Sequence, residues 1–446
     1  MSNDKKLGFI MMLDVSDSMS NALPMVKIDS KAFVRSAHSG DQFGVNAFSD
    51  NAWWVYPTGN NPKIVTVTDG LKETENAVNE IEKLKCVSMT NMGEAIKLGN
   101  QMINQAATPL KAFVLLSDGY HNRGTDPRTV LGDEPPIYIA GLDIIDTTYF
   151  KNLIAKNKKS QFYNEPVAYK MMCIYNDILA DADEANLSMN SLKSYCKGSD
   201  YFIESFSVME DDNDAQVSVV WSDKKYKYTS QYPSGTNINI VLIDPNNNIT
   251  NYKPDIIDDG YCIYNLHNVL PGEWKVLVQY SLAESIYGTA GGFEFHTSVK
   301  TNLLLPSYIE SKENIDITVE ALRDNKQIEN VTVNAHISQP IYSTDEVLNR
   351  FENKIKEVEL DSQVVDNEYN RLKVLREQKL QAENIDILPL KHTIHNVTVD
   401  SNGNYSLSLE NTLNQGIYSV KVEISGIDPV TKRPFRSLKA GSVVVG

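Results

Sequence analysis

The sequence predicts a multidomain fold: an α/β doubly wound unit followed by two all-β sandwich units, the last with a helical hairpin inserted. Three observations predict it. Residues 1 to about 198 alternate strand and helix signals, the pattern of a parallel-rich sheet covered on both faces. After Lys197-Gly198-Ser199-Asp200 the pattern changes to short strands with turn residues between them. Between Tyr342 and Pro389 a charged stretch returns to helical spacing. The expected divisions are 1–198, 199–302 and 303–446, with the insertion at about 343–388.

In the first unit the expected strands are Leu7–Leu13, Gln42–Phe48, Ala52–Tyr56, Ala112–Leu116 and Pro136–Ala140. A helix follows Thr90, because Met92, Ala95, Ile96, Met102, Ile103 and Ala106 fall on one face at a period near 3.6. A later helix carries Val167, Met171, Ile174 and Ile178 at similar spacing. Both stripes read as core. In the second unit Val217–Trp221, Ile238–Ile243, Trp274–Tyr280 and Phe293–Val299 are expected strands, with Asp244-Pro245-Asn246 and Pro271-Gly272-Glu273 as turns. In the third, Ile315–Ala321, Val331–Ile337, Tyr405–Leu409, Tyr418–Ile424 and Ser442–Val445 are expected strands. The insertion places Leu348, Phe351, Ile355 and Val358, then Val365, Tyr369, Leu372 and Leu375, at three- and four-residue spacing, with a break at Asp361-Ser362. It reads either as a packed cover for the sheet or as a partner-binding arm.

Chemistry concentrates at the ends of two expected strands. The run Leu13-Asp14-Val15-Ser16-Asp17-Ser18 closes an apolar strand with a carboxylate and two hydroxyls at alternate positions. Phe113-Val114-Leu115-Leu116-Ser117-Asp118-Gly119 runs a second strand into an aspartate and a glycine turn, and Ser88-Met89-Thr90-Asn91 puts a hydroxyl just before a helix. In open sheets of this kind ligands bind beyond the carboxyl ends of the strands, where Asp14 and Asp118 both stand. Oxygen-only donors with few carboxylates suit a hard divalent cation, which keeps part of its water. Each segment also has a plainer reading: serine and aspartate are favoured helix N-caps, and Asp-Gly commonly marks a turn. Asp17 and His121 read as solvated loop residues.

Taken together these residues resemble the von Willebrand factor type A domain, whose metal-ion-dependent adhesion site joins a DxSxS loop, a threonine loop and an aspartate loop. The matching positions are Asp14, Ser16, Ser18, Thr90 and Asp118. The resemblance implies binding of Mg2+, with Mn2+ or Ca2+ admitted by the same oxygen ligands, and capture of a glutamate or aspartate carboxylate from a protein partner. The sequence Val-Leu-Ile-Asp-Pro-Asn followed by Leu-Pro-Gly-Glu-Trp-Lys-Val is similar to the β-sandwich that follows the type A domain in calcium-activated chloride channel regulators and related bacterial proteins. Those regulators carry a metalloprotease segment ahead of the type A domain. This chain starts at the type A strand, so that activity is not expected.

Composition bounds the partners. Acidic residues number 58 against 42 basic, a net charge of −16 that disfavours nucleic acid and anionic membranes. Glu210-Asp211-Asp212-Asn213-Asp214 is a short acidic patch expected in a solvated loop. Cys86, Cys173, Cys196 and Cys262 lie far apart with no zinc spacing and are expected as buried free thiols. No apolar run is long enough to span a membrane, and no leader is evident, so a cytoplasmic location is expected, or a surface one if a leader has been removed. The chain lacks HExxH, GxSxG and GxxxxGK[ST] motifs, and a binding protein is expected in place of an enzyme. Two binding roles fit: a metal-dependent adhesion or scaffold module, or an intracellular adaptor presenting clients to an ATPase or larger assembly. A metal-dependent hydrolase is the less favoured third.

Overall fold

The computed structural model describes residues 6–60, 62–87, 89–119, 121, 123–142, 148–165, 168–209, 213–295, 297–360, 366–375, 389–400, 403–410 and 412–446. Its first unit holds β1 (Leu7–Asp14), α1 (Leu23–Arg35), β2 (Gln42–Phe48), β3 (Ala52–Tyr56), β4 (Val65–Thr66), α2 (Lys72–Glu82), α3 (Met92–Ile103) and β5 (Leu110–Ser117). It continues with α4 (Pro127–Val130), β6 (Ile137–Leu142), α5 (Thr148–Ile154), β7 (Gln161–Glu165) and α6 (Met171–Ala182). The sheet order is β3-β2-β1-β5-β6-β7, parallel from β2 to β7, with β3 and β4 antiparallel on β2.

Every residue of β1 and of β6 is buried, which explains why they read as unbroken apolar runs: helices cover both faces of a parallel sheet. The register fixes the site. Leu13 lies opposite Leu116 in the β1–β5 pair, so the next residues, Asp14 and Ser117, emerge side by side, and Asp118 lies one step beyond.

The rest of the chain is mostly β. The strand β8 (Asn186–Tyr195) leaves α6 almost at once and pairs with β16 (Ile286–Glu294), within the sheet that also holds β10 (Asn213–Trp221), β13 (Ile256–Asp258) and β14 (Tyr261–Val269). The expected break after residue 198 therefore falls inside a sheet-bearing region, at the start of β9 (Gly198–Val208). A second sheet runs β11 (Lys227–Tyr228), β12 (Asn237–Ile243), β15 (Gly272–Leu282), β9. Between the sheets Trp221, Trp274, Tyr264 and Tyr195 are buried. The expected strand Phe293–Val299 is split, since β16 ends at Glu294 and β17 (Val299–Leu304) joins a different sheet.

The third β region places β17, β18 (Tyr308–Ile309), β19 (Ile315–Arg323), β20 (Lys326–Gln327), β21 (Thr332–Pro340), β22 (Leu390–Asn396), β23 (Thr398–Val399), β24 (Tyr405–Leu409), β25 (Gly416–Ile427) and β26 (Pro434–Val445) in two sheets. Between β21 and β22 stand α7 (Thr344–Lys356), opened by a Ser343–Glu346 capping box, and α8 (Glu368–Leu375). Their buried side chains, Val347, Leu348, Phe351, Ile355, Val358, Leu372 and Leu375, form a cluster separate from the sandwich core. The expected break at Asp361-Ser362, with Val365, lies outside the described residues, as do Ser88, Val167 and the acidic residues 210–212.

The units share core. Val220, Ile256, Tyr261, Ile263, Phe293 and Phe295 of the second and Ala440 of the third join the cluster under α1 and α6. On α1, Lys31 is buried with Nζ 3.0 Å from Glu82 and 3.9 Å from Asp258. On α6, Asp181 Oδ1 is 3.2 Å from Lys439 Nζ of β26, and Tyr163 OH donates to the Ala440 carbonyl at 3.3 Å. The sandwiches thus clamp the flanks of the first unit.

Candidate metal centre

Asp14 closes β1 fully buried, and three donors reach its carboxylate. Ser16 N–H and Ser16 Oγ donate to Oδ1 at 2.9 and 2.6 Å, and Ser117 Oγ donates to Oδ2 at 2.7 Å. Ser16 Oγ lies 3.0 Å from Ser18 Oγ. Ser16 holds the N-cap position of the short 3-10 turn Asp17–Met19, yet its side chain makes no cap hydrogen bond; it turns back to Asp14 instead. The helix-cap alternative for this serine therefore fails on geometry, while Ser18 and Asp17 are exposed at the opening.

The threonine loop arrives by backbone anchors. Val15 N–H donates to the Phe48 carbonyl, Val87 N–H to the Val15 carbonyl and Asn91 N–H to the Ser49 carbonyl at 2.7 Å, so Val87 and Asn91 are tied to the ends of β1 and β2. Thr90 is buried between these ties. The cap of α3 is made by Asn91, whose side chain accepts Glu94 N–H and donates to the Asp50 carbonyl at 3.0 Å. Thr90 is thereby relieved of capping.

Asp118 follows β5 and is buried. Gly119 adopts φ 103, a conformation that favours glycine, and its N–H donates to Ser117 Oγ at 3.1 Å. The Asp-Gly turn and the buried aspartate are one feature, so the turn reading and the site reading coincide. Burial drives the Asp14 carboxyl upward, the Asp118 charge adds to it, and the hydrogen bonds from Ser16 and Ser117 pull it back, leaving it at about 7. Two buried carboxyls thus act on each other through charge, and hydroxyl groups hold one of them.

His121 is half-buried in place of solvated, and burial lowers its pKa. Asp126 is held down to about 2 by hydrogen bonds from Arg128. Ser117 had no assigned role in the motif. Its signal was a hydroxyl closing an otherwise apolar strand, and only the β1–β5 register reveals that it touches Asp14.

The donor set is all oxygen: two carboxylates and up to three hydroxyls. Among the described residues no three His, Cys, Asp or Glu side chains gather into a metal site. The Asp118 charge acting on Asp14 favours either a proton on the Asp14 carboxyl or a bound cation, and hydroxyl ligands suit a hard ion.

Residues 9–121 match the von Willebrand factor type A domain family. The matched stretch takes in most of β1, Thr90 and Asp118. Among solved structures the chain aligns with a von Willebrand factor type A protein from Catenulispora acidiphila at 13% identity and TM-score 0.37, covering 73% of this chain and 63% of that one. It also aligns with the PilB minor pilin from Streptococcus sanguinis at 12% identity and TM-score 0.33, covering 40% and 61%. A third is the pilus adhesin SpaC from Lactobacillus rhamnosus GG, at 10% identity and TM-score 0.33, covering 98% and 57%. The chain spans about three fifths of the length of these proteins. No curated protein matches it. Among the described residues no helix is long and apolar enough to cross a membrane.

Proposed function

We propose that this chain is a divalent-cation-dependent protein-binding module, in which Asp14, Ser16, Ser18, Thr90 and Asp118 hold Mg2+ and a partner's glutamate or aspartate completes the coordination. The observation that carries the reading is the buried Asp14 carboxylate, which feels the charge of a second buried carboxylate, Asp118, while the Ser16 hydroxyl serves it and not a helix cap. The type A match over residues 9–121 supports a protein-interaction role.

Each residue contributes a definable part. Asp14 and Asp118 supply the negative charge, and Ser16, Ser18 and Thr90 supply neutral oxygens that leave the ion electron-poor. Ser117 fixes the orientation of Asp14. A bound hard cation offers an exchangeable water position, at which a carboxylate makes a charge-assisted, angularly demanding contact. Ser18, the exposed member of the five, marks the side from which a partner would approach.

Calorimetry with Mg2+, Mn2+ and Ca2+ on the whole chain tests the ion, with Asp14→Ala as the control that should abolish the heat. Pull-down from the native host with magnesium and with EDTA tests capture. Heat absent from all three titrations, or capture insensitive to both EDTA and Asp14→Ala, would refute metal bridging.

A further inference from the structure

One cation stands beside the opening. Arg123 lies on the loop after Asp118, with Nη1 3.0 Å from Asp50 Oδ1 and 3.9 Å from Met89 Sδ. Met89 immediately precedes Thr90, and the Asp50 carbonyl accepts the Asn91 side chain at 3.0 Å. The guanidinium therefore bridges the β2–β3 turn and the threonine loop, two of the segments that frame the centre. Its own loop is fastened from beneath. Gly124, at φ 81, packs so closely on Asn91 that a Cβ there would lie 2.1 Å from Nδ2, and Thr125 Oγ1 donates to Glu94 Oε1 at 2.8 Å.

This fixed base carries an exposed tip, since 56% of the Arg123 side chain is open to solvent. A guanidinium has five N–H donors in a planar fork, and Asp50 engages Nη1 through one oxygen. The fork thus retains capacity for a second carboxylate. There is also an electrostatic need for it. A chain of net charge −16, with Asp17 exposed beside Ser18, repels any carboxylate that approaches, and the Arg123 guanidinium offers a positive group against that repulsion.

Resting on the capture reading above, we infer that Arg123 is a specificity-determining residue of the centre, and that the preferred partner segment is an acidic peptide with two nearby carboxylates. One goes to the ion. The other pairs with Arg123 in competition with Asp50. Exposed ion pairs contribute modestly, so the selectivity expected is about fivefold.

Fluorescence anisotropy with short labelled glycine–serine peptides, carrying one aspartate or two, measures this directly on the magnesium-loaded whole chain. The two-aspartate peptide should bind about fivefold more tightly. Arg123→Ala should erase that difference, Arg123→Lys should keep part of it, and Asp50→Asn, which removes the competing carboxylate, should widen it. The magnesium heat of each variant is recorded alongside. If Arg123→Ala binds magnesium and still distinguishes the two peptides as the parent does, the assignment of Arg123 is wrong while capture stands. If neither peptide binds the magnesium-loaded parent, capture itself fails, and the assignment falls with it.

Discussion

The Ser117 hydroxyl donates to Asp14 Oδ2 at 2.7 Å across the seam between β1 and β5, and its oxygen accepts Gly119 N–H at 3.1 Å. One side chain thereby orients a carboxylate on one strand and the turn that carries Asp118 on the next. Removing such an outer partner of a metal ligand commonly costs a factor of ten or more in affinity. Ser117→Ala is expected to weaken magnesium binding about tenfold while lowering stability by only about 1 kcal/mol. Calorimetry and denaturant unfolding on the same samples check both parts, and an unchanged magnesium affinity would show that Asp14 is held without Ser117.

Much of this was legible in the sequence because β1 and β5 are buried on both faces and announce themselves as apolar runs. The side chains that follow them, Asp14 and Asp118, stand out against that background. Less legible was the second unit's entry strand. Just past the α6 cap at Asp183, Glu184 takes φ 51, a position where a glycine is usual, so no glycine marks the turn into β8. The split between β16 and β17 was hidden for a related reason: apolar residues on both sides of the junction, Phe293, Phe295 and Val299, are all buried, but in different clusters. Pairwise contacts such as Ser117 with Asp14 depend on register, which no local pattern reveals.

The pH response of the metal-free chain follows from Asp14. Its carboxyl is raised from 3.8 to about 7 by burial and by Asp118. A raised carboxyl adds stability that is fully present below the unfolded value and is lost as pH rises through the folded one. In EDTA, unfolding free energy should therefore fall between about pH 4 and pH 7, by on the order of 4 kcal/mol at most from this group. Asp14→Asn should flatten that slope. Magnesium should restore stability at neutral pH and release protons below it, which titration in buffers of different ionisation enthalpy detects. A slope unchanged in Asp14→Asn would refute the assignment to this residue.

Asp29 shows what an uncompensated carboxyl costs. It lies on α1, fully buried, and neither of its side-chain oxygens has a hydrogen-bond partner among the described residues. Burial pushes its pKa well above the ordinary value. The folded chain therefore holds this proton more tightly than the unfolded chain does, and the carboxyl opposes folding increasingly as pH rises above the ordinary carboxylate range. Asp29→Asn keeps the shape and removes the ionisation, so it is expected to stabilise the chain by about 1–3 kcal/mol at neutral pH and to give no gain at low pH. Thermal melts of both proteins across that range decide it; equal melting temperatures at neutral pH would mean that the carboxyl is compensated.

Gly93 ties the framing loops together. At the start of α3, a Cβ on this residue would sit 1.8 Å from the Thr125 carbonyl oxygen, a backbone atom that has no rotamer to move out of the way. Gly93→Ala must displace either α3, three residues after Thr90, or the loop running from Asp118 to Asp126. Alanine is the better helix former by about 1 kcal/mol, but overpacking against backbone typically costs about 1–3 kcal/mol, so the clash dominates. Magnesium affinity should fall by more than stability alone explains, because Thr90 and Asp118 are carried on the two segments pushed apart. Gly70→Ala, where a Cβ meets nothing within 4 Å, is the matched control and should leave affinity unchanged. Wild-type magnesium binding in Gly93→Ala would show that close packing of α3 on this loop does not set the spacing of the donors.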